Sequence, residues 1–375
     1  MNNPPIIGFD AKRALRNATG LGNYGRTLIN ALNTFPIEMR LYAPNYGNCH
    51  LRRQIKRSQN IHVRYPKPSM LGKLYQAYWR SRGIVSDLKR DGVDIYHGLS
   101  GELPIGLQKS GIKGLVTIHD LIFMRHPEYY HWIDTKLYAW KFRQTMREAT
   151  HIIAISECTK RDILYYAPEV DPARISVIYQ SCAPRFTTTP ELRQAEAEPR
   201  ERRYILSVGS IEARKNTMLA VKALPYLPED LTLTLVGKHT PYTDELQAYA
   251  EANGLAHRVK VMHGVSDEQL PALYAGAEAF VYPSRYEGFG IPIIEAINCG
   301  LPVVACTGSC LEEAGGPDSL YVDPDDGQAM ANAISQVLKG AEGREQRIRL
   351  SQDYIRRFEG NDVAGQIVDL YQSLL

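Results

Sequence analysis

Short runs of β-branched and other apolar residues recur along the chain, each followed by a stretch of helical period. In the first half they are Ile6–Phe9, Arg40–Tyr42, Ile61–Val63, Asp94–His97, Leu115–Ile118, Ile152–Ile155 and Ser176–Tyr179. In the second they are Tyr204–Val208, Leu231–Val236, Val259–Met262, Ala279–Tyr282, Pro302–Ala305 and Leu320–Val322. Apolar strands without polar alternation are buried on both faces, as in a parallel sheet covered by helices. Strands alternating with helices predict a doubly wound α/β architecture.

The pattern breaks once. Ala183–Arg203, reading APRFTTTPELRQAEAEPRERR, is polar, carries three prolines and has no apolar period. It reads as an interdomain linker, with room for one short helix. The expected organisation is one α/β unit over residues 1–182, a linker over 183–203 and a second α/β unit over 204–352. A terminal helix over 353–375 has apolar positions at Ile355, Phe358, Val363, Ile367, Leu370 and Tyr371. No strand follows it, so the pattern leaves its docking place open, the first unit included. Two units also suit 375 residues.

Composition excludes several classes. With 44% hydrophobic and 23% charged residues the chain is neither disordered nor fibrous. No apolar run approaches the ~20 residues that cross a bilayer. The start MNNPPIIGFD does not read as a secretory signal, so a cytoplasmic protein is expected. The six cysteines form no CxxC pair and read as thiols in a reducing compartment. The net charge of +3 hides a strong asymmetry. Segment 50–90 holds eleven Lys or Arg and one acid, Asp87, which leaves the rest of the chain net negative. Such a segment suits nucleic acid, an anionic membrane or an acidic substrate, or is simply a solvated face. It carries no recognition motif for nucleic acid, so no nucleic-acid partner is expected.

Open α/β sheets bind ligands beyond the carboxyl ends of their strands, so the residues just after strands are the candidates. After the first run comes Asp10–Gly25, containing Gly20-Leu-Gly22-Asn-Tyr-Gly25, then a helix expected over Arg26–Leu32. This stretch reads either as a phosphate or substrate loop or as a plain flexible loop. His119-Asp120 follows the fifth run. There His119 could bond a substrate hydroxyl with Asp120 orienting it, or be structural. In Val208-Gly209-Ser-Ile-Glu212-Ala-Arg214-Lys215-Asn216, two cations stand after a glycine turn and before a helix. They oppose the helix dipole unless an anion binds there. The densest stretch is Tyr282-Pro-Ser-Arg-Tyr-Glu287-Gly288-Phe289-Gly290-Ile-Pro292-Ile-Ile-Glu295-Ala. Pro292 marks a first helical turn. Glu295, set among Ile293, Ile294, Ala296 and Ile297, requires a specific hydrogen-bond partner.

These residues resemble family 4 of the retaining glycosyltransferases, whose GT-B fold sets two Rossmann-like domains facing each other across a cleft. The mark is Glu287 and Glu295 with seven residues between them, inside Pro-Ser-x-x-Glu-Gly-Phe-Gly-Ile-Pro. The resemblance extends to Arg214-Lys215-Asn216, Gly237, Ser266–Leu270, Gly300-Leu-Pro-Val-Val, the Gly20–Gly25 stretch, His119-Asp120 and Ile155–Asp162. Leu311-Glu-Glu313-Ala departs from it, since many members have Leu-Pro-Glu. The resemblance implies a nucleotide sugar as co-substrate. Arg214 and Lys215 would hold its diphosphate, Glu295 the ribose, and Glu287 with the backbone of Gly288, Phe289 and Gly290 the sugar hydroxyls. His119 would touch the sugar, and Gly20 and Gly22 would lie near phosphate or acceptor. Gly209, Gly237, Val265 and Leu270 would line the nucleotide side. Arg214, Lys215, Glu287 and His119 are the catalytic candidates. No metal or other cofactor is expected, because no Asp-x-Asp follows a strand and Asp323-Pro-Asp325 lies in a late turn.

The stretch Asp120–Asp162 most resembles bacterial mannosyltransferases of surface-polysaccharide assembly. It points first to GDP-mannose, then to UDP-sugars, with a glycan or polyprenyl-linked glycan as acceptor. A sugar-nucleotide epimerase on the same fold is the remaining enzymatic alternative. Leu71–Lys89 has the composition of an amphipathic helix. It would either rest on the anionic inner face of the membrane or pack its aromatics into the first domain.

Overall fold

The computed structural model describes residues 4–186, 203–358 and 362–375. It divides into two compact units, Met1–Tyr179 with Asp362–Leu375, and Gln180–Asn361. Most of the expected linker, residues 187–202, lies outside the described residues.

The first unit holds seven strands: β1 (Ile6–Asp10), β2 (Glu38–Tyr42), β3 (Ile61–Arg64), β4 (Ile95–Gly98), β5 (Lys113–Ile118), β6 (His151–Ala154) and β7 (Ile175–Val177). They pair in the order β3-β2-β1-β4-β5-β6-β7, all parallel. The second unit holds six: β8 (Arg203–Val208), β9 (Leu231–Val236), β10 (Val259–Met262), β11 (Phe280–Tyr282), β12 (Val303–Cys306) and β13 (Leu320–Val322). Their order is β10-β9-β8-β11-β12-β13, again all parallel. Both units are doubly wound α/β sheets. Strand order reverses between β1 and β4 and between β8 and β11, and each reversal opens a crevice beyond the strand ends.

The missing polar alternation has a direct cause. Neighbouring residues on one strand enter cores on opposite faces. Leu115 joins Phe9, Leu41 and Ile153 on one face, while Val116 joins Tyr42, Tyr96 and Ile152 on the other. Both faces are therefore dry.

Three expectations change in the structure. The glycine-rich stretch is not a loop, since helix Gly20–Leu32 already begins at its first glycine. A Cβ on Gly22 would stand 1.9 Å from the Asn17 carbonyl oxygen, and one on Gly25 would stand 3.2 Å from the Ala14 Cβ. The glycines let this helix lie against the preceding turn Lys12–Arg16. Buried Arg26 locks the pair by donating to the Ala14 and Asn17 carbonyls at 2.9 and 2.8 Å. Close packing outweighs the helix penalty of glycine, about 1 kcal/mol per residue.

The terminal helix is really two. Arg344–Ile355, closed by the turn Arg356–Phe358, belongs to the second unit, whereas Val363–Leu374 packs in the first. There Ile367, Val368 and Tyr371 enter the core beside Phe9 and Leu115.

Leu71–Lys89 is helical but divided. A π-helical turn, Trp79–Gly83, separates helix Gly72–Tyr78 from Ile84–Arg90. Trp79 is buried and donates to Asp87 at 2.7 Å. Tyr75 packs on the core, while Leu71, Leu74 and Tyr78 stay exposed. The aromatics thus divide between the two readings.

Candidate active site

In the second unit the chain leaves β8 at Val208 and turns on Gly209, whose φ of +148° favours glycine. Gly237, just past β9, packs against it so closely that a Cβ would stand 2.0 Å from the Gly209 carbonyl oxygen. The 3-10 turn Ala213–Lys215 follows, ended by Asn216 in the left-handed region at φ 53°. Asn216 is held there by donating to the Pro324 carbonyl at 2.8 Å. This turn aims Arg214 and Lys215 back over the reversal between β8 and β11.

There they meet Glu287. Its Oε1 lies 2.5 Å from the Lys215 Nζ and 3.0 Å from the Arg214 Nη1. The same oxygen accepts from the Ser284 hydroxyl at 2.5 Å and from the Tyr282 hydroxyl at 3.3 Å. All these contacts fall on one oxygen. The second carboxylate oxygen accepts no hydrogen bond among the described residues. Lys215 also donates to the Tyr282 hydroxyl at 2.6 Å and sits 4.9 Å from that ring's centroid. Arg214 is steadied by Glu212 at 2.8 Å and the Tyr286 carbonyl at 2.7 Å. Burial alone would raise the Glu287 pKa, but Lys215 and Arg214 outweigh it and hold the carboxyl below its usual range. Burial likewise opposes the charge on both cations, and Glu287 reverses that, keeping both protonated. The cluster is a largely buried, charged constellation in which both cations are paired with carboxylates.

Glu295 lies on helix Ile291–Asn298, whose first turn carries Pro292. Its partner is Tyr274, which donates to Oε2 at 3.0 Å. Unlike Glu287 it forms no ion pair among the described residues, and burial, only partly offset by the Tyr274 hydrogen bond and the Arg185 charge, pushes its pKa up to about 7. The two acids of the motif therefore differ in kind: one is locked as an anion, the other is poised to titrate near neutrality.

The remaining second-unit candidates divide. Gly290, at φ +119°, caps the same helix. The Phe289 side chain, however, is buried against Phe358, ring centroids 5.3 Å apart, and its carbonyl accepts from the Cys310 thiol at 2.7 Å. Val265 and Leu270 flank an exposed loop at the carboxyl end of β10, with Leu270 opening helix Leu270–Ala275. Asp325 pairs with Arg285, in keeping with an ordinary turn acid.

In the first unit His119 follows β5 and lines a cavity of about 280 Å3. Its Nε2 donates to the Leu99 carbonyl at 2.9 Å, which leaves Nδ1 as the acceptor nitrogen. Tyr24, from the Gly20 helix, sits edge-on to the ring at 4.8 Å. Burial lowers the His119 pKa to about 4, so it is neutral at pH 7. Asp120 accepts from the Ile122 amide at 3.2 Å, which starts the next helix. Gly20 and Gly22 lie in the first turn of the Gly20 helix.

The family described as Glycosyltransferase Family 4 matches residues 18–181, and the family described as Glycosyl transferases group 1 matches residues 188–353. The chain belongs to the family-4-like glycosyltransferases of GT-B fold. Among relatives, the O-antigen chain mannosyltransferase B of Escherichia coli is 28% identical over 299 residues, covering 75% of this chain and 74% of that protein. The O-antigen chain mannosyltransferase RfbU of Salmonella typhimurium is 30% identical over 222 residues, covering 59% of this chain and 60% of its own length. Among solved structures, the sucrose-phosphate synthase of Thermosynechococcus elongatus shares the fold with a TM-score of 0.80 at 21% identity, over 99% of both chains. Anabaena Alr3699/HepE in complex with UDP does so with a TM-score of 0.76 at 19% identity, over 98% of this chain and 100% of that one.

Sequence reasoning missed several residues of this transferase's cluster. Tyr282 and Ser284 stand inside the quoted motif but were given no role, although a Tyr ending a buried strand needs a hydroxyl partner. Glu212 stands two positions before Arg214 in the quoted stretch and was likewise given no role, whereas Tyr274 carried no local signal and is brought in by distant folding. In the first unit His97, assigned only to a strand, is fully buried between Tyr371 at 2.7 Å and Thr117 at 2.8 Å. Burial holds its pKa at about 3.

Proposed function

We propose that this glycosyltransferase moves a hexose, mannose from GDP-mannose, to a glycan or polyprenyl-linked glycan in polysaccharide biosynthesis, with retention of anomeric configuration. The observation that carries the reading is the Arg214–Lys215–Glu287 constellation at the β8/β11 crevice. Two cations there face the negative charge that grows on the leaving β-phosphate, and one fixed carboxylate offers an acceptor to sugar hydroxyls. The bond from the anomeric carbon to the phosphate oxygen breaks while the acceptor oxygen bonds on the same face. The departing phosphate takes the acceptor's proton. His119 would contact the sugar, and Glu295 would accept from the ribose. The choice of mannose is supported by the names of the Escherichia coli and Salmonella relatives. Isothermal titration with GDP and UDP, followed by product analysis with GDP-mannose and a lipid-linked glycan, tests it. Selective UDP binding would move the donor to a UDP-sugar, and release of an epimerised sugar without transfer would make the protein an epimerase.

Because Arg214 and Lys215 supply the positive charge at the leaving group, turnover is expected to persist in EDTA. Complete loss with EDTA, restored by magnesium or manganese, would assign leaving-group stabilisation to a metal instead.

No helix among the described residues is long and apolar enough to cross a membrane. We place the enzyme in the cytoplasm, peripherally on an anionic inner face through segment 50–90. The support is that segment's charge, the exposed Leu71, Leu74 and Tyr78, and six cysteines of which none is in a disulfide. Co-sedimentation with vesicles is expected to require anionic lipid and to weaken with salt. Equal, negligible binding to neutral and anionic vesicles at low salt would leave only a basic face.

A further inference from the structure

A second cavity in the first unit, about 630 Å3, does not include His119. It opens beyond β1 and β4, between the divided helix Gly72–Arg90 and helix Trp132–Glu148. Its volume lies within the ~300–1,000 Å3 of ordinary small-molecule sites.

The charge in it is unbalanced. Two acids line it, Asp10 and Glu102, and both are already engaged. Arg80 lies 3.0 Å from Asp10 and 2.7 Å from Glu102, and Lys141 lies 3.2 Å from Glu102. Arg80 reaches them from the π-helical turn, a distortion frequent at functional sites. Lys12, Arg16, Lys73 and Arg82 line the same cavity. Among the described residues none of these four forms an ion pair. Burial and the neighbouring Arg80 charge lower the Lys12 pKa, and Glu102 and Asp10, already engaged by Arg80, offset this only in part.

Exposed apolar side chains line the cavity as well: Tyr78, Leu137 and Trp140 are 58%, 44% and 47% exposed. Each continues an exposed stripe along its helix. Leu71, Leu74 and Tyr78 follow i, i+3, i+7 spacing, and Ile133, Leu137 and Trp140 follow i, i+4, i+7. Soluble proteins do not ordinarily converge two such stripes on one opening. A soluble anion would satisfy the cations and leave the stripes wet. A hydrocarbon would cover the stripes and leave four cations unpaired. A molecule with a phosphate head and a hydrocarbon chain satisfies both.

We propose that this cavity binds the phosphate or diphosphate head of a lipid, with Lys12, Arg16, Lys73 and Arg82 around the head and the chain leaving between the Leu74–Tyr78 and Leu137–Trp140 stripes. The inference rests on reading the first unit as the acceptor side. It locates where a lipid-carried acceptor is held.

The test uses the full chain and a short soluble probe, farnesyl diphosphate, titrated beside its two fragments, inorganic diphosphate and farnesol. Farnesyl diphosphate should bind at least tenfold tighter than either fragment. Lys73→Gln/Arg82→Gln and Leu137→Glu/Trp140→Glu should each weaken it at least tenfold. Both pairs are exposed, so the thermal midpoint should hold. Lys215→Ala, in the other unit, should keep farnesyl diphosphate binding while losing nucleoside diphosphate. Inorganic diphosphate binding the Lys215→Ala variant as tightly as farnesyl diphosphate does would make this a site for a soluble anion. Unchanged binding in both double variants would place the lipid elsewhere. Either outcome overturns the proposal, whereas failure of nucleoside diphosphate binding in the wild type would count against the nucleotide-sugar reading alone.

Discussion

Replacing Lys215 with alanine is expected to lower turnover about 10²–10³-fold, some 3–4 kcal/mol of barrier, as for loss of one preorganised oxyanion donor. Arg214→Ala should behave alike, and calorimetric titration should show nucleoside diphosphate affinity falling in both. A complication is built into the site. Lys215 also neutralises Glu287, at 2.5 Å, in a buried setting, so its removal leaves an underpaired carboxylate. A loss of activity could then reflect a disturbed fold. The double variant Lys215→Met/Glu287→Gln separates the two causes. It removes both charges together, a change that buried pairs often tolerate in stability. If Lys215 serves only the fold, the double variant should recover both its thermal midpoint and its nucleoside diphosphate affinity. If it holds the leaving phosphate, the thermal midpoint should recover while that affinity stays low; turnover does not decide here, because Glu287 has its own place at the sugar. Unchanged affinity and turnover in both alanine variants would remove the pair from the site.

The second large effect is on pH dependence, and it comes from Glu295. The folded carboxyl titrates near 7, above its ordinary value of 4.5. Below about 4.5 it is protonated folded or unfolded and contributes no slope. Between about 4.5 and 7 the unfolded chain releases the proton while the folded one keeps it. Stability should therefore fall as pH rises through that window and level off above it. Glu295→Gln should remove this slope. Ligand binding should run the opposite way. If the carboxylate accepts from ribose hydroxyls, only the ionised form binds well. Affinity for a nucleotide sugar should then drop about tenfold between pH 8 and pH 6. A nucleotide sugar is the better probe, since a terminal phosphate has its own pKa near 6. His119, held at about 4 by burial, is silent in this range. A flat wild-type profile, or a slope that survives in Glu295→Gln, would detach Glu295 from the nucleotide.

Both predictions turn on residues that the chain announces locally and on states that it does not. Glu287 and Glu295 stand eight positions apart in one motif and look alike on paper. The structure makes them opposites, because Arg214 and Lys215 reach the first from the far side of the β8/β11 reversal. Tyr274 reaches the second from a preceding helix. Burial and partnership belong to distant elements, and they set the charge.

Sequence alone determined the thirteen strand positions, since a strand dry on both faces writes its apolar run without reference to neighbours. It also determined the family motif and the cations after β8, which depend on local turns. Only the tertiary structure decided that the glycines of Gly20–Gly25 serve a close helix contact, because the carbonyl of Asn17 that excludes a side chain is not a pattern in the chain. It alone decided that Val363–Leu374 closes the first unit, where Tyr371 reaches His97 across 274 positions, as an amphipathic helix carries no record of which core it will cover. And it alone gathered Lys12, Arg16, Lys73 and Arg82 around one cavity. A charge count along the chain cannot show that cations from separate elements share a wall, nor that the two acids beside them are already taken.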